Sequence, residues 1–288
     1  MGETTTVKRN SQAKDTFRRF IKNKAAVVGL IIISLLLFGA IFAGVITPYD
    51  FDKQDLTARF EMPSMAHLLG TDEFGRDLFT RILYGARISL FVGILSVSVG
   101  CLIGGTLGAL AAYYGGRVDD FIMRFLDIWH SIPDLLLAIS LASAMGPGIG
   151  NAIIAIGLTT IPSYARVVRA SVMTVKNTEY IEAARCLGAS VPRIILRHII
   201  PNALAPIIVQ ASLGVAGAII TTASLSFIGL GVQPPTPEWG SMLSKGRQYI
   251  RNYWHLVTFP GVFIMTTVIS LNLLGDGLRD ALDPRLKR

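Results

Sequence analysis

The sequence predicts an all-α, polytopic membrane protein with six transmembrane helices. Three observations carry this. Only 16% of the 288 residues are charged, against about 25% in a soluble domain. Charge-free runs at 25–49 and 88–116 exceed the ~20 apolar residues that cross a hydrocarbon core. The mean hydropathy is +0.53, with 51% hydrophobic residues.

The elements follow in order. The first span is expected at Ala25–Tyr49, preceded by a basic tail whose apolar run is too long for a cleaved signal. The segment 47–87 follows it and contains "HLLGTDEFGRDLFTRILYGARISL". Asp72, Glu73 and Asp77 fall where a helix dipole favours acids, and Phe74, Leu78 and Ile82 recur at helical spacing. These features predict an amphipathic helix at the outer interface. The second span is Ile88–Gly116, with Gly100, Gly104 and Gly108 four residues apart as a close-packing face. The third runs from near Phe121 to Met145 and carries Arg124, Asp127 and His130 in its early part. "MGPGIGN" makes a hairpin into the fourth, about Gly148–Tyr164. The fifth lies within 199–237, with Gly214 and Gly217 as a second small-residue face. A Pro-rich loop follows, in which Trp239, Tyr249, Tyr253 and Trp254 suit an interfacial belt. The sixth is about His255–Gly275. The expected organisation is an accessory segment 1–87 and a five-helix core 88–288, whose longest polar loop is 173–203.

Lys and Arg set the expected orientation. Seven stand in residues 1–24. If that end is cytoplasmic and the six spans alternate, 19 of the 27 basic residues lie inside, so N- and C-termini are both expected in the cytoplasm. The net charge of +8 then reflects loops beside anionic lipid, and nucleic acid is not expected as a partner.

Several chemistries are excluded or weakened. His67, His130, His198 and His255 are scattered and no pair has metal-ligand spacing. "DIWHSIPD" reads as a helix-start cluster near the membrane surface. Cys101 and Cys186 support neither a disulfide framework nor a thiolate site. No phosphate-binding loop is present, so no cofactor is expected on this chain, and any ATP must be bound by another. The second, fourth, fifth and sixth spans lack the intramembrane acids that ion-coupled carriers use. An ion-coupled secondary transporter is the alternative from another class.

The segment "EYIEAARCLGASVPRIILRHIIPNALAP" at 179–206 interrupts the apolar second half. Tyr180–Leu187 reads as a short helix, with Tyr180, Ile181, Ala184 and Leu187 on one face and Glu182 and Arg185 on another. Gly188 ends it. Ser190 is an expected N-cap and Pro192 suits a first turn. A second helix follows to about Ile199, where Pro201 stops or bends it.

This segment resembles the coupling motif of ABC importer permeases, E-A-A-x3-G-x9-I-x-L-P. Glu182, Ala183, Ala184, Gly188 and Pro201 fall at its intervals. His198 stands where isoleucine is usual, and Ile200 where leucine is usual. Further blocks at 22–33, 67–90, 233–243 and 275–286 look like the peptide/nickel subfamily, and most resemble its C-type permease. The resemblance implies a type I ABC importer permease with a five-helix core plus one N-terminal helix. It implies a second homologous permease, two ATP-binding subunits that carry the ATP and magnesium, and an extracytoplasmic peptide-binding protein. It assigns Glu182, Ala183, Ala184, Gly188 and Pro201 to coupling with the ATPase. The substrates it implies are di- or oligopeptides first, with nickel, heme, glutathione or opines as alternatives, and the location is the bacterial inner membrane.

Overall fold

The computed structural model describes residues 12–282. Lys8, Arg9, Arg285, Lys287 and Arg288, used above for orientation, lie outside the described residues, as does the end of the block at 275–286. Ten helices are labelled here: α1 Gln12–Lys22, α2 Lys24–Ile41, α3 Leu78–Tyr114, α4 Gly116–His130, α5 Asp134–Met145, α6 Ile149–Val175, α7 Glu179–Cys186, α8 Val191–Phe227, α9 Trp239–Gly246 and α10 His255–Leu282. Five of them (α2, α3, α6, α8 and α10) are long and apolar enough to cross a membrane. The pair α4 and α5, bent by 83°, is apolar enough to bring the number to six if it is counted as one span. No regular strand occurs among the described residues.

The central contact is α3 against α6. A Cβ on Gly108 would overlap the carbonyl oxygen of Ala165 and lie 2.9 Å from its Cα. A Cβ on Gly104 would overlap the carbonyl oxygen of Ile161. Backbone therefore touches backbone, as small residues permit in lipid, where no hydrophobic force joins helices. Gly214 packs on the Tyr164 hydroxyl, but Gly217 meets nothing within 4 Å, so it is not part of a packing face within this chain.

Four other expectations need correction. First, residues 67–77 are not an interfacial helix. They fold back in turns, and α3 then runs unbroken from Leu78 to Tyr114. Asp77 caps it, accepting from the Thr80 N–H at 2.8 Å. Asp72 instead accepts from the N–H groups of Phe74 and Arg76 at 2.9 and 3.0 Å and pairs with the Arg76 guanidinium at 2.7 Å. The division expected at 87/88 falls inside α3. Second, the third span starts at Gly116 and breaks at Ser131–Pro133, because proline disfavours a helical residue before it. Third, the fourth span continues past Tyr164 to Val175. Its Arg169 is neutralised by Asp119 of α4 through two 2.6 Å bonds. Fourth, Trp239 is fully buried and donates from Nε1 to the Ile82 carbonyl at 3.0 Å. Tyr249 and Tyr253 pack on Phe60, so of the expected belt only Trp254 is exposed.

The ends of the bundle differ in character. At one end, residues 47–77 and 228–254 form a cap on α3 and α10. Glu238 holds α9 by accepting from the N–H groups of Gly240 and Ser241 at 2.9 and 2.8 Å. Burial pushes its carboxyl above the usual range, while these two bonds pull it down. Asp77 matters in the same cap, since it also meets His67 Nδ1 at 2.9 Å. Asp77→Ala removes an N-cap worth ~0.5–2 kcal/mol and should lower the melting temperature of the detergent-solubilised protein. Asp77→Asn, which keeps a capping oxygen, should lower it less. The opposite end carries α1, α7 and the start of α8.

Candidate functional site

Between α6 and α8 the chain leaves the bundle for one short helix and returns. The exit is tied down. Lys176 Nζ donates to the Ala112 carbonyl at 2.6 Å, which satisfies one of the orphan carbonyls at the end of α3. Thr178 adopts the extended N-cap geometry, and its carbonyl accepts from the N–H groups of Ile181 and Glu182 at 2.9 and 3.2 Å.

The helix α7 ends in a paired hydrogen-bond motif. Gly188 N–H donates to the Arg185 carbonyl at 2.9 Å, and Ala189 N–H to the Ala184 carbonyl at 3.1 Å. The reversal needs a left-handed residue, and Gly188 has φ +75°. Glycine takes this conformation without a Cβ penalty. Nothing lies within 4 Å of where a Cβ would be, so the constraint here is backbone geometry alone.

Ile181 is the anchor. It is fully buried in a cluster with Ala109, Ala112, Val168, Val172, Ile194 and Ile199. That cluster joins α3, α6, α7 and α8 in one apolar contact. Arg185 adds a contact with the Tyr113 ring, 5.3 Å from its centroid. The rest of α7 faces outward. Glu182, Ala183 and Gly188 are exposed and Ala184 is half-buried. Tyr180 and Leu187 are also exposed, Leu187 at 87%. The sequence grouped Tyr180, Ala184 and Leu187 with Ile181 on one face. Only Ile181 and part of Ala184 turn inward, because an eight-residue helix has room for one buried anchor.

Pro201 lies apart from this group. It is exposed and sits within α8, separated from the stretch Ile194–Ile199 by Ile200. It does not stop the helix. That stretch widens to a π turn, in which the Ile200 N–H donates to the Ile195 carbonyl, five residues back. Asn202 Nδ2 also donates to the His198 carbonyl at 2.7 Å. Wider turns and side-chain donors near a proline re-satisfy the backbone it frees. α8 is therefore one continuous lever from Val191 to the far end of the bundle. Glu182, Ala183, Ala184 and Gly188 are brought together on α7, and Pro201 reaches them only through the apolar cluster.

Sequence reasoning missed Ile181 as sole anchor, the Lys176 clamp and the Asp119–Arg169 pair. The signal was present: Val168, Ser171, Val172 and Val175 continue the helical spacing of α6 beyond Tyr164.

Two family descriptions match the chain. Residues 104–288 match "Binding-protein-dependent transport system inner membrane component", and residues 11–63 match "N-terminal TM domain of oligopeptide transport permease C". The chain is 50% identical to the dipeptide transport system permease protein DppC of Escherichia coli (strain K12), covering 93% of this chain and 92% of that one. It is 48% identical to DppC of Alkalihalophilus pseudofirmus, over 95% and 90% of the two chains. It is 46% identical to the glutathione transport system permease protein GsiD of Pectobacterium atrosepticum, over 95% and 91%. Among solved structures, the inward-facing MetNI methionine ABC transporter superposes with a TM-score of 0.57 at 20% identity, over 70% of this chain and 97% of that one. That likeness concerns the fold. The family implies ATP-binding and substrate-binding partners. With this bent six-span bundle and its projecting α7, the chain belongs to the binding-protein-dependent transport system inner membrane components, as a C-type permease of the ABC importers.

Proposed function

We propose that this chain forms half of the pore of an ATP-driven importer of short peptides. A second, homologous permease supplies the other half. Two ATP-binding subunits sit beneath the pore, one of them against α7, and hold the ATP and magnesium, and an extracytoplasmic binding protein delivers the peptide to the capped end. The chain itself performs no chemistry. N- and C-termini face the cytoplasm of a bacterium, as does α7. The observation that carries the coupling role is the division of α7 into a buried anchor and a bare outer face. Tyr180, Ala183 and Leu187 repeat at helical spacing and are all exposed, Leu187 more than Tyr180. A solvent-facing apolar stripe of this kind marks a contact with another protein. Closure of the ATP-binding subunits would move α7, and Ile181 would pass that motion to α3, α6 and α8 as a rigid body.

The short-peptide reading rests on the relatives' printed substrates. A dipeptide permease and a glutathione permease lie at 50% and 46% identity, and glutathione is itself a tripeptide. The experiment uses the native thiol of Cys186, which is exposed on α7. In a Cys101→Ser background, a short thiol-to-amine crosslinker should join Cys186 to a nucleotide-hydrolysing subunit of the purified complex. Uptake of labelled dialanine in cells should be competed by di- and tripeptides and not by nickel. Absence of that crosslink in a complex competent for ATP hydrolysis would refute the coupling role, and competition by nickel alone would refute the substrate.

A further inference from the structure

The helix α1 has three distinct flanks. Phe20 is buried against Ala26, Ala281, Leu274 and Leu278, which fixes α1 to α2 and to the end of α10. Phe17 and Ile21, four residues apart, are 62% and 52% exposed. Arg18 and Lys22 are exposed as well. Each stands two positions from Phe20, hence about 200° round the helix from it. The flank away from the bundle is therefore basic, and the stripe between that flank and Phe20 is apolar.

The position of α1 is fixed by its connection to the first span. Asn23 alone separates α1 from α2. Its side chain accepts from the Ala26 N–H at 3.2 Å and donates to Asp280 of α10 at 3.2 Å. α1 is thus a pinned elbow at the start of the first apolar span. Water does not suit Phe17 and Ile21 there, and a single-residue connection leaves α1 no depth at which to cross. Asp280, at the end of α10, is engaged by Asn23.

We propose that α1 is a binding element for anionic phospholipid. Phe17 and Ile21 enter the acyl boundary, and Arg18 and Lys22 hold headgroup phosphates on the outer flank, as interfacial amphipathic helices do. The lipid would thereby brace the end of α10. This rests on the cytoplasmic N-terminus proposed above, where the anionic inner leaflet attracts basic segments.

The test uses the intact importer complex, reconstituted with phosphatidylglycerol and phosphatidylcholine and then examined by native mass spectrometry. The wild-type complex should retain phosphatidylglycerol in preference. Arg18→Gln with Lys22→Gln should reduce that preference about tenfold, since each basic residue near an anionic surface contributes appreciably, at unchanged melting temperature. Phe17→Ser with Ile21→Ser should weaken retention of both lipids. Equal preference in the charge variant would overturn the proposal. So would displacement of the lipid by soluble glycerol phosphate at matched ionic strength, which would mark a site for free phosphate. Orientation is read separately, from protease access to an N-terminal tag in spheroplasts. A tag outside would refute the orientation and leave the lipid preference standing.

Discussion

Gly108→Val is expected to abolish stable folding of the bundle. The new Cβ would overlap the Ala165 carbonyl oxygen and crowd its Cα at 2.9 Å. These are backbone atoms, so no rotamer change relieves them. Overpacking a close interface costs ~1–3 kcal/mol or more, and this case falls at or above the top of that range. To relieve it, α3 and α6 must move apart. That would open the cluster of Ala109, Ala112, Val168 and Ile181 on which α7 sits. Size-exclusion chromatography of the solubilised variant should show aggregate in place of a monodisperse peak. Gly105→Val is the control. Its Cβ would meet only Val168 Cγ2, at an ordinary 3.6 Å, so the variant should behave as wild type. A monodisperse Gly108→Val protein would show that the α3–α6 contact is not needed.

This interface was legible in the sequence because a four-residue glycine repeat in an apolar run has one main use, the close approach of helices. The spans were legible for a similar reason, since length and the absence of charge follow from the thickness of the bilayer. Their limits were less so. The fourth span was expected to end near Tyr164, yet α6 continues to Val175, with Arg169 neutralised by Asp119, remote in sequence. Pro201 read as a stop, yet α8 passes through it by widening its turns. At Arg169 the partner lies about fifty residues away in the chain, whereas at Pro201 the adjustment is local, through the wide turn to Ile195 and the Asn202 side chain. A remote partner also decides Trp239, whose indole finds the Ile82 carbonyl and so leaves the interface for the core. In the candidate site, Gly188 was legible from the chemistry of helix ends. The inward turn of Ile181 alone was not, because Tyr180 and Leu187 are equally apolar and only the packed bundle distinguishes them.

Gly188→Val should leave the protein folded and inserted but cut peptide uptake at least tenfold. At φ +75° a residue with a Cβ pays roughly 1–2 kcal/mol, and a β-branched one more. The space around Gly188 is open, so the variant clashes with nothing. It instead leaves the left-handed region and breaks the bonds from Gly188 N–H to Arg185 and from Ala189 N–H to Ala184. The angle between α7 and α8 then relaxes, while Ile181 and the six spans keep their packing. The outer face that carries Tyr180, Glu182, Ala183 and Leu187 loses its fixed pose. The melting temperature should therefore change little, and ATP hydrolysis in the assembled complex should no longer follow addition of loaded binding protein. Gly188→Asn separates the two explanations for such a loss. Asparagine tolerates the left-handed region and is bulkier than glycine, so it should retain most uptake if backbone geometry is the requirement. If Asn fails as fully as Val, the requirement is close approach of a partner to Gly188. Normal uptake by Gly188→Val would remove the helix end from the coupling pathway altogether.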